Sequence, residues 1–488
     1  MDHDAFLELL TPRGQKALAE AVELAKADPV VAATRLRKTY DAALTSAALT
    51  QARLRERGRA KFGGDAALMY FTPHGVEQAT RREVADHRAR RLAHLIGRPS
   101  SSSDETLALQ ASPQETPGEP LGLRPPPDEA PSPGGVAGGW AGAPGCAGLR
   151  VVDVCCGIGG DLIALARAGC LVDAVDTDPL TVAVALANAD ALGLSDRVTV
   201  RTADAATVIP EDYDVLFADP ARRTAKGRTF DPNAYSPAWP VVLDLLDRAP
   251  AACLKVAPGI PYEFVPEGAE AEWVSFKGEV KEVALWTGAL AGVEQPSVRQ
   301  AGPASPATAD RTDAGRTDAG RADGDAGRTA AGLTDSGGFS RRATLLPGGS
   351  TLTATGAQAP VGPMGRYVYE PDGAAIRAHL VAEVAAMVNG RLADPMIAYI
   401  TGDDAVDTAW ASGYEVDEVM PFSVKKLRAA LRARQVGNVT IKKRASAVDI
   451  ERLRRNLRLS GDKSAVVILT RIADHPSMLI CTPLELGK

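Results

Sequence analysis

The chain has 488 residues, which at about 100–200 residues per domain leaves room for two to four domains and excludes a mini-protein. Hydrophobic residues make up 45% and charged residues 24%, as in ordinary globular proteins. The chain has 55 Lys plus Arg against 61 Asp plus Glu, a formal charge of −6, so any affinity for nucleic acid must come from a local patch.

Targeting and metal-binding patterns are not evident. No run of about 18 apolar residues occurs, and Asp2 and Asp4 stand where a signal peptide has basic residues, so we expect a cytoplasmic protein with no membrane partner. The 6 cysteines show no CxxC spacing, and no pair of histidines lies at ligand spacing beside a carboxylate, so we expect neither a disulfide framework nor a metal. The sequence does not indicate an oligomeric state.

Residues 1–98 have the pattern of an N-terminal helical domain. Apolar residues recur at helical spacing over residues 17–25 and 48–62. Thr80 and Glu83 have the capping-box spacing, in which a hydroxyl and a carboxylate each satisfy a free amide, and this predicts a helix from there to about Ile96. We expect the outer face of that helix to be basic.

Two stretches are predicted to be disordered. Residues 99–147 are rich in Pro, Gly, Ser and Glu and have too few apolar side chains to compensate for the entropy lost on ordering. A second stretch, about residues 291–339, repeats RTDAG twice and then decays into related sequences, a compositional repeat too short for a solenoid unit.

Between these stretches, strand-like and helix-like runs alternate from LRVVDV to ACLKVA. This order is typical of a doubly wound parallel sheet and predicts an α/β fold of the Rossmann-like kind. Residues 273–276, 281–286 and 343–346 are predicted strands that close the sheet antiparallel. The predicted domain therefore spans residues 148–364, with the second disordered stretch inserted before its last strand.

Residues 365–488 are predicted to form a small α+β domain. A helix is expected over residues 373–388, a short strand over residues 396–400, and a strong strand over residues 465–471 that pairs with residues 478–481.

Twelve basic residues lie between positions 425 and 458, and within that segment only Asp449 and Glu451 oppose them. Such a run is either a solvated helix face or an electrostatic footprint for phosphates. We favour the second interpretation, with RNA as the partner. The candidate RNA-binding residues are Lys425, Lys426, Lys442, Lys443 and Arg444.

A glycine-rich loop, DVCCGIGGD, follows the first predicted strand and leads into a helix. Two kinds of cofactor bind to loops of this type, a dinucleotide and S-adenosylmethionine. A dinucleotide needs a third glycine and a helix N-terminus free for its pyrophosphate, but Leu162 replaces that glycine and Asp161 would repel phosphates. S-adenosylmethionine has an ammonium and a sulfonium, which the acids attract, so this loop favours S-adenosylmethionine.

Further acids end the next two predicted strands. Asp176 is placed to bind both ribose hydroxyls, and Asp204 is placed for the adenine edge. Either acid alone could be a helix cap or a turn residue, but together with the loop they indicate a methyltransferase. The candidate cofactor-binding residues are Asp153, Gly157, Gly159, Asp161, Asp176 and Asp204.

The fourth predicted strand ends in the sequence FADPARR. Methyl transfer depends on alignment, and a carboxylate can accept the hydrogen of the nucleophile. Asp219, Pro220 and Arg222 are therefore the candidate catalytic residues, although Asp219 and Pro220 could also form only a turn. Methylation of a pyrimidine C5 uses a cysteine after the fifth or sixth strand, and the segment KVAPG after the fifth strand has none.

In order and spacing, TRREVADHRARRL, VVDVCCGIGGDLIALA, VDAVDTDPLTVAVALANADALGL and DVLFADPARR resemble the RNA cap trimethylguanosine synthase family and its bacterial relatives. The chain also resembles bacterial methyltransferases with a C-terminal THUMP-like domain, which would correspond to residues 365–488 and implies an RNA-binding module. The resemblance implies S-adenosylmethionine binding by the residues that match its loop and strand-end acids: Asp153, Gly157, Gly159, Asp176 and Asp204.

One motif departs from that family. The synthases have a proline pair followed by an aromatic residue that stacks on guanine, whereas this chain has Pro220, Ala221 and Arg222. We therefore expect a different acceptor, with Arg222 holding a phosphate or stacking through its guanidinium plane. His87 matches a family histidine and could equally be a packing residue.

The sequence as a whole predicts a class I S-adenosylmethionine-dependent methyltransferase that modifies RNA at a base nitrogen. Two alternatives remain. One is a methyltransferase for a small molecule or a protein, and the other is an RNA-binding protein that binds the cofactor without turnover.

Overall fold

The computed structural model describes residues 2–96, 146–221, 223–224, 227–228, 231–291 and 338–484. Most of both predicted disordered stretches, residues 97–145 and 292–337, lies outside these described residues. The described residues form an N-terminal group of helices, a nine-stranded sheet and a C-terminal seven-stranded sheet. This architecture is the predicted α/β fold with a small α+β domain at its C-terminal end.

Capping residues mark where the N-terminal helices begin. Thr11 caps the helix that starts at Pro12, and Asp41 accepts a hydrogen bond of 2.9 Å from the amide of Leu44 at the start of the longest helix. The two predicted helical stretches correspond to α2 and α4. The helices are α1 (His3–Leu10), α2 (Pro12–Glu23), α3 (Pro29–Leu36), α4 (Ala42–Phe62), α5 (Pro73–Gln78) and α6 (Arg82–Ile96).

The nine-stranded sheet, here called the catalytic sheet, contains the predicted parallel strands. Its strands are β1 (Arg150–Val154), β2 (Leu171–Asp176), β3 (Val198–Thr202), β4 (Val215–Ala218), β7 (Ala251–Val256), β8 (Glu270–Phe276), β9 (Glu279–Gly288), β10 (Ser340–Leu346) and β11 (Ser350–Thr353). Two short strands, β5 (Arg223–Thr224) and β6 (Gly227–Arg228), pair apart from it. The helices between its strands are α7 (Gly160–Arg167), α8 (Pro179–Ala191) and α9 (Trp239–Arg248).

The strand order is β11-β10-β8-β9-β7-β4-β1-β2-β3. Strands β1, β2, β3, β4 and β7 are parallel, and β9 runs antiparallel to β7 and β8, as predicted. The prediction for the last strand was wrong, because β10 pairs with β8 in parallel. The hairpin partner β11 then pairs antiparallel with β10.

The C-terminal sheet has the order β13-β14-β12-β15-β18-β17-β16. Its strands are β12 (Tyr367–Pro371), β13 (Arg391–Leu392), β14 (Ile400–Gly402), β15 (Ala411–Pro421), β16 (Val436–Lys443), β17 (Lys463–Ile472) and β18 (His475–Pro483), and its helices are α10 (Gly373–Arg377), α11 (Val381–Met387), α12 (Val424–Ala433) and α13 (Ile450–Leu457). The antiparallel pair β17 and β18 confirms the predicted pairing. The predicted helix over residues 373–388 is two helices, α10 and α11, separated by His379 with a φ of 54°.

Helix α6 packs on one face of the catalytic sheet through buried charges. Arg91 forms ion pairs with Glu270 and Glu272 of β8, and its guanidinium lies 4.6 Å from the ring centre of Trp286. His87 contacts Glu272 at 2.8 Å. Although burial raises the pKa of Glu272, Arg91 and His87 hold that pKa well below its ordinary value.

One expectation for this helix was wrong, and the expected basic outer face, which includes the exposed Arg90, is accompanied by two buried arginines on the inner face. Arg88 and Arg91 are 3% and 5% exposed, so the helix does not present all its basic residues outward, because buried carboxylates on the sheet require partners. The hydroxyl of Thr80 does not have the predicted capping role. It donates instead to Asp161 at 2.8 Å, although the helix does extend to Ile96 as predicted.

The other face of the catalytic sheet is apolar. Trp273 and Leu285 pack there against Ala374, Ala378 and other small residues of the α10 and α11 region. Ser275 on the same face donates a hydrogen bond of 3.0 Å to Asp372, which precedes α10. The C-terminal segment therefore shares a hydrophobic core with the catalytic sheet.

Replacing Arg91 with Met should leave Glu270 and Glu272 without their main partner in a buried site. We expect a decrease of about 3–5 kcal/mol in the free energy of unfolding, measured by chemical denaturation. The matched control is Arg90→Met, because Arg90 is the exposed neighbour on the same helix and should change stability by at most about 0.5 kcal/mol. Equal effects of the two substitutions would contradict this account of α6.

Candidate cofactor and catalytic site

The loop between β1 and α7 requires residues with left-handed backbone. Gly157 and Gly159 have φ angles of 55° and 90°, which glycine adopts without a steric cost. Cys155 has a φ of 66° despite its side chain, so the loop is held in a strained conformation. Asn188 of α8 donates a hydrogen bond of 2.8 Å to the carbonyl of Ile158 and fixes the loop from behind.

Asp176 at the end of β2 faces this loop. Its carboxylate accepts hydrogen bonds of 3.1 Å from the amides of Gly157 and Asp178. Burial raises the pKa of this carboxyl above its ordinary value, although these amides act in the opposite direction. The side chain is partly exposed, so each oxygen retains acceptor capacity for a ligand hydroxyl.

Asp153 on β1 is fully buried, and neither of its carboxylate oxygens has a hydrogen-bond partner among the described residues. Burial raises the pKa of Asp153 well above its ordinary value, and the nearby Asp161 and Asp219 raise it further. An unpartnered buried carboxyl costs free energy unless a donor or cation reaches it. This residue therefore fits a cationic ligand bound at the loop.

Asp161 at the start of α7 lies in a buried polar cluster. It accepts a hydrogen bond from Thr80 and forms an ion pair with Arg88, and Lys255 lies 3.8 Å from it. Although burial raises its pKa, Arg88 and Lys255 lower the pKa of Asp161 below its ordinary value overall. Arg88 also forms an ion pair with Glu282 of β9.

Lys255 of β7 joins this cluster to the fourth-strand motif. It is 3% exposed, donates a hydrogen bond of 2.5 Å to Thr80, and forms an ion pair with Asp219. The amide of Asp219 bonds at 3.3 Å to the carbonyl of Val154 at the end of β1. The side chain of Asp219 is therefore held in place beside the glycine-rich loop.

These residues surround an open cleft with about 1010 Å³ of space, including its mouth. The loop and strand ends form one wall, and the segment from Thr72 to Thr80 of the N-terminal region forms another. The two walls meet closely, because a Cβ on Gly75 would lie 2.4 Å from Ile158. The N-terminal helices thus complete the cleft.

Most of the predicted cofactor and catalytic residues lie at or beside this cleft. Of the predicted cofactor and catalytic residues, those that line the cleft are Gly157, Asp161, Asp176, Asp219 and Pro220. Gly159 and Asp153 belong to the loop and the strand beside it. Asp204 is exposed, is not among the lining residues, and accepts a hydrogen bond of 2.9 Å from the amide of Ala206. Arg222 lies outside the described residues.

Sequence reasoning missed Thr80, Arg88 and Lys255 as parts of the site. The sequence pattern places Thr80 and Arg88 in a capped helix with a basic outer face, and Lys255 in the segment KVAPG, which has no cysteine. A lysine inside an otherwise apolar strand, ACLKVA, was the available indication, because a buried lysine requires an anionic partner.

The predicted RNA-binding residues do not form one patch. Lys442 and Arg444 both contact Glu370 of β12, at 2.5 and 3.5 Å. Lys443 points to the other face of β16 and donates to the carbonyl of Val448 at 2.9 Å. Lys425 and Lys426 are exposed on α12, so this group is divided between the two faces of the C-terminal sheet.

Comparisons with known proteins agree with this architecture. The family profile described as RNA cap guanine-N2 methyltransferase matches residues 149–229, the profile described as THUMP domain-like matches residues 411–483, and a domain of unknown function matches residues 2–58. A crystal structure from Porphyromonas gingivalis W83, described as that of a methyltransferase, is similar with a TM-score of 0.60. It is 18% identical, and the match covers 96% of this chain and 98% of that one, which establishes the shared fold.

Uncharacterized S-adenosylmethionine-dependent methyltransferases of Mycobacterium tuberculosis, from strains H37Rv and CDC 1551, are 32% identical over 349 residues. The match covers 69% of this chain and 82% of each relative. The fold and the cleft define a Rossmann-like methyltransferase. The chain belongs to this family of S-adenosylmethionine-dependent methyltransferases, has a THUMP-like domain, and uses S-adenosylmethionine as its cofactor.

Two features are absent from the described residues. No helix there is both long and apolar enough to cross a membrane. No group of three or more His, Cys, Asp or Glu in the same part of the chain is arranged to hold a metal ion.

Replacing Asp176 with Ala should weaken binding of S-adenosylhomocysteine by about 10- to 100-fold, because a hydrogen bond from the ligand to a charged carboxylate is worth about 1.5–3 kcal/mol. Isothermal titration calorimetry measures this affinity. Asp196→Ala is the control, because Asp196 is exposed in the loop before β3. An unchanged affinity in the Asp176 variant would contradict a contact between Asp176 and the ligand. The role of Asp176 would then be limited to its hydrogen bonds with the loop amides.

Proposed function

We propose that this methyltransferase acts on RNA and transfers the methyl group to a base nitrogen. The observation that supports RNA most strongly is the exposed cationic face of α12 and α13, on a domain that matches the THUMP-like profile. The match of residues 149–229 to a profile described as RNA cap guanine-N2 methyltransferase supports the same class of acceptor.

Helices α12 and α13 are amphipathic, each with one apolar side and one basic side. Their leucines are buried in a core with β16 and β17, as at Leu427 and Leu453. The exposed basic residues of the pair are Lys425, Lys426, Arg432, Arg452, Arg454 and Arg455. Such a face attracts phosphates through a charge interaction that does not depend on base sequence.

The cysteines at the site support a nitrogen acceptor over a pyrimidine carbon. Cys253 lies on β7, and burial raises the pKa of its thiol to about 12. Burial also raises the pKa values of Cys155 and Cys156 in the loop. Because the attacking form of cysteine is the thiolate, these cysteines are poorly suited to add to a pyrimidine ring.

The mechanism we propose uses Asp219 as the group that orients the acceptor. When bound, S-adenosylmethionine would supply the methyl group carried on its sulfonium sulfur, and the S–CH₃ bond that breaks would leave the neutral thioether S-adenosylhomocysteine. Asp219 lies at the cleft wall next to Pro220, where its carboxylate can accept a hydrogen bond from an exocyclic or ring N–H of the base. Lys255 holds that carboxylate in position through the ion pair, and the proton leaves toward Asp219 as the N–CH₃ bond forms.

The direct experiment measures transfer from radiolabelled S-adenosylmethionine into RNA, protein and small-metabolite fractions from cells that lack this protein. We expect label in a discrete RNA species. We also expect Asp219→Asn to lower the rate by about 100-fold or more, the range of general-base contributions, with little change in affinity for S-adenosylhomocysteine.

The matched control is Asp247→Asn, which replaces an exposed acid on α9 and should retain the wild-type rate. Label only in protein or metabolites would contradict an RNA acceptor. A wild-type rate in the Asp219 variant would contradict the role of that carboxylate and leave it as a turn residue.

A further inference from the structure

One edge of the catalytic sheet contains more than the cofactor cleft. Strands β1, β4 and β7 are parallel, and because β9 is antiparallel to both β7 and β8, strand β8 also ends at this edge. Strand β10 is parallel to β8 and ends there as well. Three steps of about 4.8 Å separate β4 from β8, so their ends lie roughly 14 Å apart.

A second cleft opens at the ends of β8 and β10, between the catalytic sheet and the C-terminal sheet. It has about 1250 Å³ of space including its mouth. The turns after β8 and β10 contribute Lys277 and Gly348, and the C-terminal sheet contributes Lys442, Arg444 and Glu370. The two clefts therefore lie side by side along one edge of the molecule.

Basic residues connect the two clefts. Arg81 follows Thr80 at the wall of the cofactor cleft, and its guanidinium lies 4.7 Å from the ring centre of Phe276. Lys277 lies over the same ring, with Nζ at 5.5 Å from its centre. We call the series Arg81, Lys277, Lys442 and Arg444 the cationic track.

Three acids that have no cation outside the track among the described residues, Glu370, Glu83 and Asp372, lie near its four basic residues, so the track retains an excess of one positive charge. Glu370 is shared between Lys442 and Arg444, and Glu83 lies 4.0 Å from Arg81. Asp372 accepts from Ser275 and from the amide of Ala374. Glu279 is paired with Lys281.

One group on the track retains capacity for a ligand, because among the described residues Lys277 has no ion-pair partner. The Nε of Arg444 also has no hydrogen-bond partner there, but this atom is buried. Both basic side chains from the C-terminal sheet face away from α12 and α13, because Ile441 packs in the core with those helices and Lys442 alternates with it.

We propose that the cationic track binds the backbone phosphates of a single-stranded RNA segment whose target base enters the cofactor cleft. This inference rests on the proposed RNA function and names a second contact surface, distinct from the exposed face of α12 and α13. Even a stacked strand rises about 3.4 Å per nucleotide, so about four nucleotides cover the distance between the clefts. Arginine and lysine are the side chains that bind such phosphates.

The test uses the full-length protein and a fluorescein-labelled single-stranded RNA of about 12 nucleotides and mixed sequence. Fluorescence anisotropy gives the Kd at several salt concentrations. We expect Lys277→Glu to weaken binding about tenfold and to reduce the slope of log Kd against log salt by at least about 0.7, the value for one phosphate contact on a single strand.

Gly348→Asp is a second variant that adds a carboxylate without removing a native contact, because a Cβ at Gly348 meets nothing within 4 Å. It should weaken binding in the same direction. Lys16→Glu, with the same charge change on exposed α2, is the control and should bind RNA as the wild type does. Affinity for S-adenosylhomocysteine should stay unchanged in all three variants.

The outcomes separate the two proposals. Wild-type protein that neither binds nor methylates RNA would overturn the proposed function and this inference with it. Wild-type protein that binds and methylates RNA, with Lys277→Glu and Gly348→Asp indistinguishable from Lys16→Glu, would overturn the track and leave the proposed function intact.

Discussion

The buried ion pairs of α6 are the constraint on which the rest of the molecule depends. Strands β8 and β9 place Glu270, Glu272 and Glu282 on a sheet face that is closed to water. Each of these carboxylates requires a partner, and Arg88 and Arg91 of α6 supply it. A helix from the N-terminal region therefore forms part of the catalytic core.

The same helix organises the reactive end of the sheet. Arg88 pairs with both Asp161 and Glu282, and Thr80, just before the helix, contacts Asp161 and Lys255. Lys255 in turn holds Asp219, so the position of the proposed catalytic carboxylate depends on contacts that begin in α6. Asp153, buried and without a partner among the described residues, adds an acid for a cofactor that contains two cationic groups.

The local pattern of apolar and polar residues in the sequence was sufficient to predict much of the fold. The alternation of strands and helices from β1 to β7 is visible in the sequence because buried parallel strands are short apolar runs between turn residues. The direction of β10 was not predictable, since the chain between Gly288 at the end of β9 and Ser340 at the start of β10 is long enough to enter the sheet in either direction. The break between α10 and α11 at His379 likewise has no clear sequence pattern.

The sequence predicted residues that lie together at the candidate site where one local motif contains them, and it missed residues that reach the site only through distant packing. The acids of the loop and the fourth strand follow strand ends, a feature that sequence shows directly. Arg88 and Lys255 are separated by 167 positions in the sequence. Only the packing of α6 on the sheet brings both side chains to Asp161. The run of basic residues in the C-terminal domain was visible, but its division between two faces depends on the partner Glu370 from β12.

If α6 belongs with the catalytic sheet, cutting the chain after this helix should leave the two parts together. A site for a specific protease is inserted between residues 97 and 145 of the full-length protein, and the cleaved protein is examined by gel filtration and by titration with S-adenosylhomocysteine. The buried ion pairs predict that both fragments elute together and retain the affinity of the uncut protein. Separation of the fragments, with the C-terminal fragment alone still binding S-adenosylhomocysteine at the original affinity, would contradict the account.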